Sequence, residues 1–163
     1  MLSGIDGEEL KKFVPELLDA RYPGRSQEAP PAVGDGAFGW VVELDGCIAL
    51  VRAAQVTHPF ILIRGGIAHE IPRSEELALH VAAANKDLVV GRAYLAYGDD
   101  IAMVALDESI FGAYLSVQYE PSMQDVVNRL ETSFQHTSEW SKTIRERFGG
   151  RPFTVDDWAL MSM

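Results

Sequence analysis

Apolar residues recur along this chain with two different periods, and the places where the period changes mark its elements. Near the amino terminus Leu10, Phe13, Val14, Leu17 and Leu18 fall at helical spacing, and Asp6 with Glu9 has the pattern of a capping box. Pro15 lies inside that stretch and predicts a kink or a restart. Tyr22-Pro23-Gly24-Arg25 ends the helix, and residues 23–39, rich in proline and glycine, read as a long mobile loop acting as a connector. The period then drops to two. Trp40–Leu44 and Cys47–Arg52 are β-rich runs around Asp45-Gly46, a strong hairpin signal. Phe60–Arg64 is a further strand; Ile67–Ile71 either continues it past Gly65-Gly66 through a bulge or pairs back on it.

After Pro72 the helical period returns. Ser74 is placed as an N-cap, Glu75 and Glu76 suit the positive end of the helix, and Leu77, Val81, Ala84 and Leu88 form its apolar stripe. Gly91 opens a strand, Arg92–Tyr97, and a turn at Gly98-Asp99-Asp100 leads to its neighbour, Ile101–Leu106. Both strands are apolar on both faces, so both faces need a cover: a helix, a partner chain or a ligand. Residues 110–119 predict a short strand at Leu115–Tyr119. From Ser122 to Phe148, Val127, Leu130, Phe134, Thr137, Ser141, Ile144 and Phe148 repeat at spacings of three and four, which predicts one helix about 40 Å long. Gly149-Gly150 stops it, and the tail Arg151–Met163 shows no period.

Composition narrows the class. The chain has 163 residues, 47% of them apolar and 23% charged, which suits one domain with its own core. It divides into a helix and Gly/Pro loop (1–39), a core (40–150) and a tail (151–163). A net charge of −10 argues against nucleic acid, whose backbone demands a basic surface. No apolar run reaches a membrane span and the first residues do not resemble a signal peptide, so a soluble, cytoplasmic protein is expected. The single cysteine, Cys47, excludes an internal disulfide and a multi-thiolate zinc site, and it reads as a small buried hydrophobe.

Candidate chemistry is sparse. Gly34-Asp35-Gly36-Ala37-Phe38-Gly39-Trp40-Val41 fits the kinase glycine-loop pattern, yet the next strand offers Ala49-Leu50-Val51-Arg52 where a lysine belongs, and the other kinase motifs are missing. As a dinucleotide fingerprint it fails too, because it opens a strand and not a helix. The histidines His58, His69, His80 and His136 have no metal-ligand spacing, and Ser109 and Ser116 sit in no nucleophile elbow. Catalytic residues, a metal and a cofactor are therefore not expected.

Two stretches carry a resemblance. Ala83-Ala84-Asn85-Lys86-Asp87-Leu88-Val89-Val90-Gly91-Arg92-Ala93-Tyr94-Leu95 resembles an Asn-containing helix end with its glycine and following strand, and Glu139-Trp140-Ser141-Lys142-Thr143-Ile144-Arg145-Glu146-Arg147-Phe148-Gly149-Gly150-Arg151 resembles a closing helix with a Phe-Gly-Gly end. Over about residues 60–152 the chain thus resembles the YbjN and type III secretion chaperone families, in particular the actinobacterial peptide-binding chaperone branch. That resemblance implies an α+β fold with a single antiparallel sheet and flanking helices in the order α-β-β-β-α-β-β-(β)-α. It also implies a homodimer that holds a polypeptide partner without chemistry; the alternative is a small-molecule-sensing or regulatory domain of the YbjN type. Aromatic residues near the sheet are the expected anchors: Trp40, Tyr94, Tyr97, Phe111, Tyr114 and Tyr119, with Trp40 and Tyr94 foremost.

Overall fold

A computed structural model describes residues 6–29, 38–54, 60–111 and 120–157. The fold is α+β. In chain order the elements are α1 (Gly7–Arg21), β1 (Ser26–Ala29), β2 (Phe38–Leu44), β3 (Cys47–Ala54), β4 (Phe60–Pro72), α2 (Glu75–Ala84), β5 (Arg92–Tyr97), β6 (Ile101–Phe111) and α3 (Glu120–Phe148), then a short 3-10 turn, Val155–Asp157. The six strands form one open sheet in the order β1-β2-β3-β4-β6-β5, and each pair is antiparallel.

The capping box predicted for α1 forms in both directions: the Glu9 N–H donates to Asp6 at 2.8 Å and the Asp6 N–H donates to Glu9 at 3.0 Å. The helix runs on through Pro15 as a single element. Its Leu10, Val14 and Leu18 pack on Val42, Val51 and Ile63 of the sheet and on Leu130 and Phe134 of α3. At the other end of the same face, Leu77 and Val81 of α2 and Ile144 of α3 close over Ala93, Val104 and Leu106. The three helices thus share one face. The heptad-like stripe of α3 is spent on the sheet, with Leu130, Phe134, Thr137, Ser141 and Ile144 all buried.

Two sequence expectations change, and one open alternative is decided. Ser26–Ala29, read as loop, is an edge strand paired with Gly39–Val42; only its Ala29 is buried, so it has no hydrophobic period to announce it. β6 extends to Phe111 because it follows the long β4 along its length. β4 itself is one strand through Gly65-Gly66, with register shifts between Gly66 and Ala68 and between Ala68 and Ile71. The glycines serve close packing on both sides. A Cβ at Gly65 would overlap Thr137 of α3, and one at Gly66 would come within 2.8 Å of Phe153 on the opposite face. Residues 34–37 of the glycine motif and the expected strand at 115–119 lie outside the described residues, whereas Phe38–Val41 belong to β2.

Candidate functional site

Strand alternation places Val41, Ile48, Leu50, Leu62, Arg64, Gly66, Tyr94, Ala96, Met103, Ala105 and Asp107 on the sheet face turned away from the helices. The segment after α3 returns along part of that face. Gly149 and Gly150 take positive φ angles of 81° and 87°, which lets the chain reverse, and Arg151 then pairs with His69 through backbone bonds of 3.0 and 2.9 Å. Phe153 sits over Gly66, its ring 4.5 Å from that of His69.

A polar clasp fixes this segment. The Asp157 carboxylate accepts from Arg151 at 2.9 and 3.1 Å, from the Thr154 N–H at 2.7 Å and from the Thr154 hydroxyl at 2.8 Å. The Arg151 guanidinium foremost holds Asp157 well below the ordinary carboxylate range, and the Thr154 bonds add to this. Arg151 also reaches Glu70 at 3.0 Å. Glu70 has φ +56°, the one described non-glycine residue with positive φ, and it lies at the second register shift of β4. His69 is buried, with its Nε2 3.4 Å from Asp157 but outside hydrogen-bond geometry.

Further along the face, Arg64 grips Asp107 with two bonds of 2.7 and 2.8 Å, and its guanidinium lies 5.6 Å from the centre of the Tyr94 ring. Burial first, then the Asp107 charge, raises the Tyr94 phenol above its ordinary value. Beside this pair the sheet ends at β5. The Asn85 carboxamide acts there as a one-residue strand: its amide donates to the Ala93 carbonyl at 2.9 Å and its oxygen accepts from the Ala93 N–H at 2.8 Å. Ala93 therefore turns both backbone groups away from β6. By alternation Leu95 and Tyr97 do the same, beyond the reach of Asn85's one-residue clip.

The large apolar side chains that stay exposed among the described residues are Leu79, Val89, Tyr97 and Ile101, from 46% to 82% accessible. All four belong to the unit formed by α2, β5 and β6 and the segments joining them. The second face of that unit carries a cavity of about 230 Å³ lined by His69, Glu70, Ala96, Tyr97, Ile101 and Met103 among others.

The expected anchors divide accordingly. Trp40 corrects the expectation of an exposed anchor: it is buried in the core that α1 covers, since β2 turns it toward the helices. Tyr94 is half-buried on the open face and Tyr97 is exposed at the open edge. Phe111 ends β6 opposite Phe60, away from that edge. Tyr114 and Tyr119 lie outside the described residues. The clasp of Arg151, Asp157, Glu70 and His69 joins parts of the chain more than 80 residues apart, so no local pattern announces it beyond the Gly149-Gly150 pair beside a charged tail.

Among the described residues no group of three or more His, Cys, Asp or Glu could hold a metal ion. Cys47 is buried, its Sγ 3.9 Å from the Ser138 hydroxyl, and burial raises its thiol above the ordinary value. No described helix is long and apolar enough to cross a membrane. Compared with known proteins, the chain matches no family model and no curated protein.

Proposed function

We propose that this chain is a non-catalytic, chaperone-like polypeptide-binding domain of the YbjN and type III secretion chaperone kind, working in the cytoplasm. The observation that carries this reading is the open edge of β5: the outward backbone groups of Leu95 and Tyr97 lie in the one unit that gathers the exposed apolar side chains Leu79, Val89, Tyr97 and Ile101. An edge of this kind can take an extended segment as an added strand, with backbone bonds giving affinity and side-chain contacts giving selection. The net charge of −10 favours a basic partner through steering. Tyr97 replaces Trp40 as the leading anchor, with Tyr94 behind it.

A peptide array probed with wild type, Tyr97→Asp and Trp40→Phe tests this, with circular dichroism confirming that each variant is folded. Apolar peptides are expected to bind wild type and Trp40→Phe alike and to lose Tyr97→Asp. If no peptide binds wild type better than an unrelated acidic domain, the reading fails.

A homodimer, which the resemblance implies, belongs to the same proposal. The stripe of α3 and part of the second sheet face are covered within the chain, so among the described residues Leu79 and Val89 are the exposed large apolar groups left for a second copy once Tyr97 and Ile101 are given to the peptide. Light scattering at micromolar concentration is expected to give twice the chain mass; a clean monomer removes the dimer and leaves peptide binding to stand alone.

A further inference from the structure

We propose that the cavity at the tip of the β5–β6 hairpin seats one apolar side chain of the partner polypeptide, and that the carboxylates around it select a basic residue beside that side chain. This deepens the reading above and rests on it. The floor is apolar, built from Ala96, Met103 and Ile101, and Tyr97, whose side chain alternation turns to the helix face, borders it at the strand end. At about 230 Å³ the cavity falls below the roughly 300–1,000 Å³ typical of small-molecule sites, which suits a single side chain better than a whole metabolite.

Its position fits a strand added to β5. A residue placed opposite Ala96 in such a strand presents its side chain on the same sheet face as Ala96, with Cβ atoms about 5 Å apart, and so directly over this floor. The next residues point to the other face or beyond the hairpin tip, where the surroundings are acidic. Glu70 borders the cavity, and Glu75, Asp99 and Asp100 border the adjoining hollow that shares Tyr97. Among the described residues Glu70 is paired with Arg151, and Arg73, stacked on Tyr97 at 4.6 Å, faces Glu75, Asp99 and Asp100, so the hollow keeps an excess of negative charge. An apolar residue flanked by Lys or Arg matches both the floor and the rim; an apolar residue flanked by Asp or Glu matches only the floor.

The test is fluorescence anisotropy with three labelled ten-residue extended peptides, alternating Leu with Lys, with Ser or with Glu. The proteins are wild type, Ala96→Phe, which fills the cavity, and the double variant Asp99→Lys/Asp100→Lys on the exposed turn. Circular dichroism establishes that both variants fold. The expected result is that wild type prefers the Leu/Lys peptide by at least about tenfold, that Ala96→Phe weakens it about tenfold, and that the turn variant abolishes the preference for Lys over Glu. If wild type binds all three peptides equally, or if both variants bind as wild type does, the cavity is the wrong site while polypeptide binding stands. If wild type binds no peptide, both readings fall together. Two other occupants would also overturn the assignment. A gain in peptide affinity of about tenfold or more on Trp158→Ser would make the occupant the chain's own tail. A concentration-dependent dimer abolished by Ala96→Phe without peptide would make it a second copy.

Discussion

The contact between Gly66 and Phe153 allows a quantitative test of how the second sheet face is closed. A Cβ at Gly66 would meet the Phe153 ring at 2.8 Å and the Phe153 Cβ at 2.9 Å, distances that real Cβ atoms essentially never show. Gly66→Ala alone therefore overpacks the site, at a cost of about 1–3 kcal/mol. Gly66 does not take a positive φ, so without that clash alanine would be worth about 0.5–1 kcal/mol over glycine in a strand. Phe153→Gly removes all three close contacts. It also deletes a ring that is 2% exposed, a loss of about 3–5 kcal/mol for a fully buried aromatic, capped by the free energy needed to lift residues 151–157 off the sheet. In the double variant the added methyl has nothing to strike. Gly66→Ala should then be neutral or slightly stabilising, giving a coupling of roughly 1–3 kcal/mol between the two sites. Urea unfolding of wild type, both single variants and the double variant, followed by circular dichroism, measures this. Effects that add to within about 0.5 kcal/mol would mean that Phe153 does not rest on Gly66, and the described closure of this face would be wrong.

Asn85→Ala removes both bonds to Ala93 and should cost about 1–3 kcal/mol in urea unfolding, with faster amide exchange at Ala93; unchanged exchange there would refute the clip. Asp157 has a carboxyl held below its ordinary value of 3.8, so its contribution is complete above that value and is lost as pH falls toward the depressed one. Wild type should therefore lose stability more steeply than Asp157→Asn between pH 5 and about pH 2; parallel curves would show that Asp157 is not held by Arg151. Cys47, buried and with its thiol raised, should react with a thiol reagent at pH 8 only as the chain unfolds; rapid labelling of the native protein would contradict its burial.

Much of the helical architecture is legible in the sequence because local signals decide it. The Asp6/Glu9 capping box, the Ser74 cap and the Gly149-Gly150 stop all act within a few residues, and the structure has each of them. The Asp45-Gly46 hairpin is equally local. What the pattern hides is set by distant partners. β1 exists because β2 supplies hydrogen bonds to it, and the choice at Gly65-Gly66 turns on Thr137 and Phe153, which approach from opposite faces. The site divides in the same way. Asn85 and Gly91 stand out in the sequence, and their roles at the helix exit and the edge strand are local. Trp40 does not: an aromatic at the start of a strand can face either side, and only the packing of α1 shows that it faces inward. Glu70 carries no sequence signal for its positive φ, which arises from the second register shift of β4 and the pairing of Arg151 with the neighbouring His69.

If β5 offers its open edge to a polypeptide, backbone amide exchange along that edge reports the added strand residue by residue. Exchange should be measured on the free protein and with a saturating Leu/Lys peptide. The Leu95 and Tyr97 amides should exchange quickly in the free protein and become strongly protected with peptide bound, while Ala93, already bonded to Asn85, changes little. Protection confined to other strands, with Leu95 and Tyr97 exchanging at the same rate in both states, would contradict it.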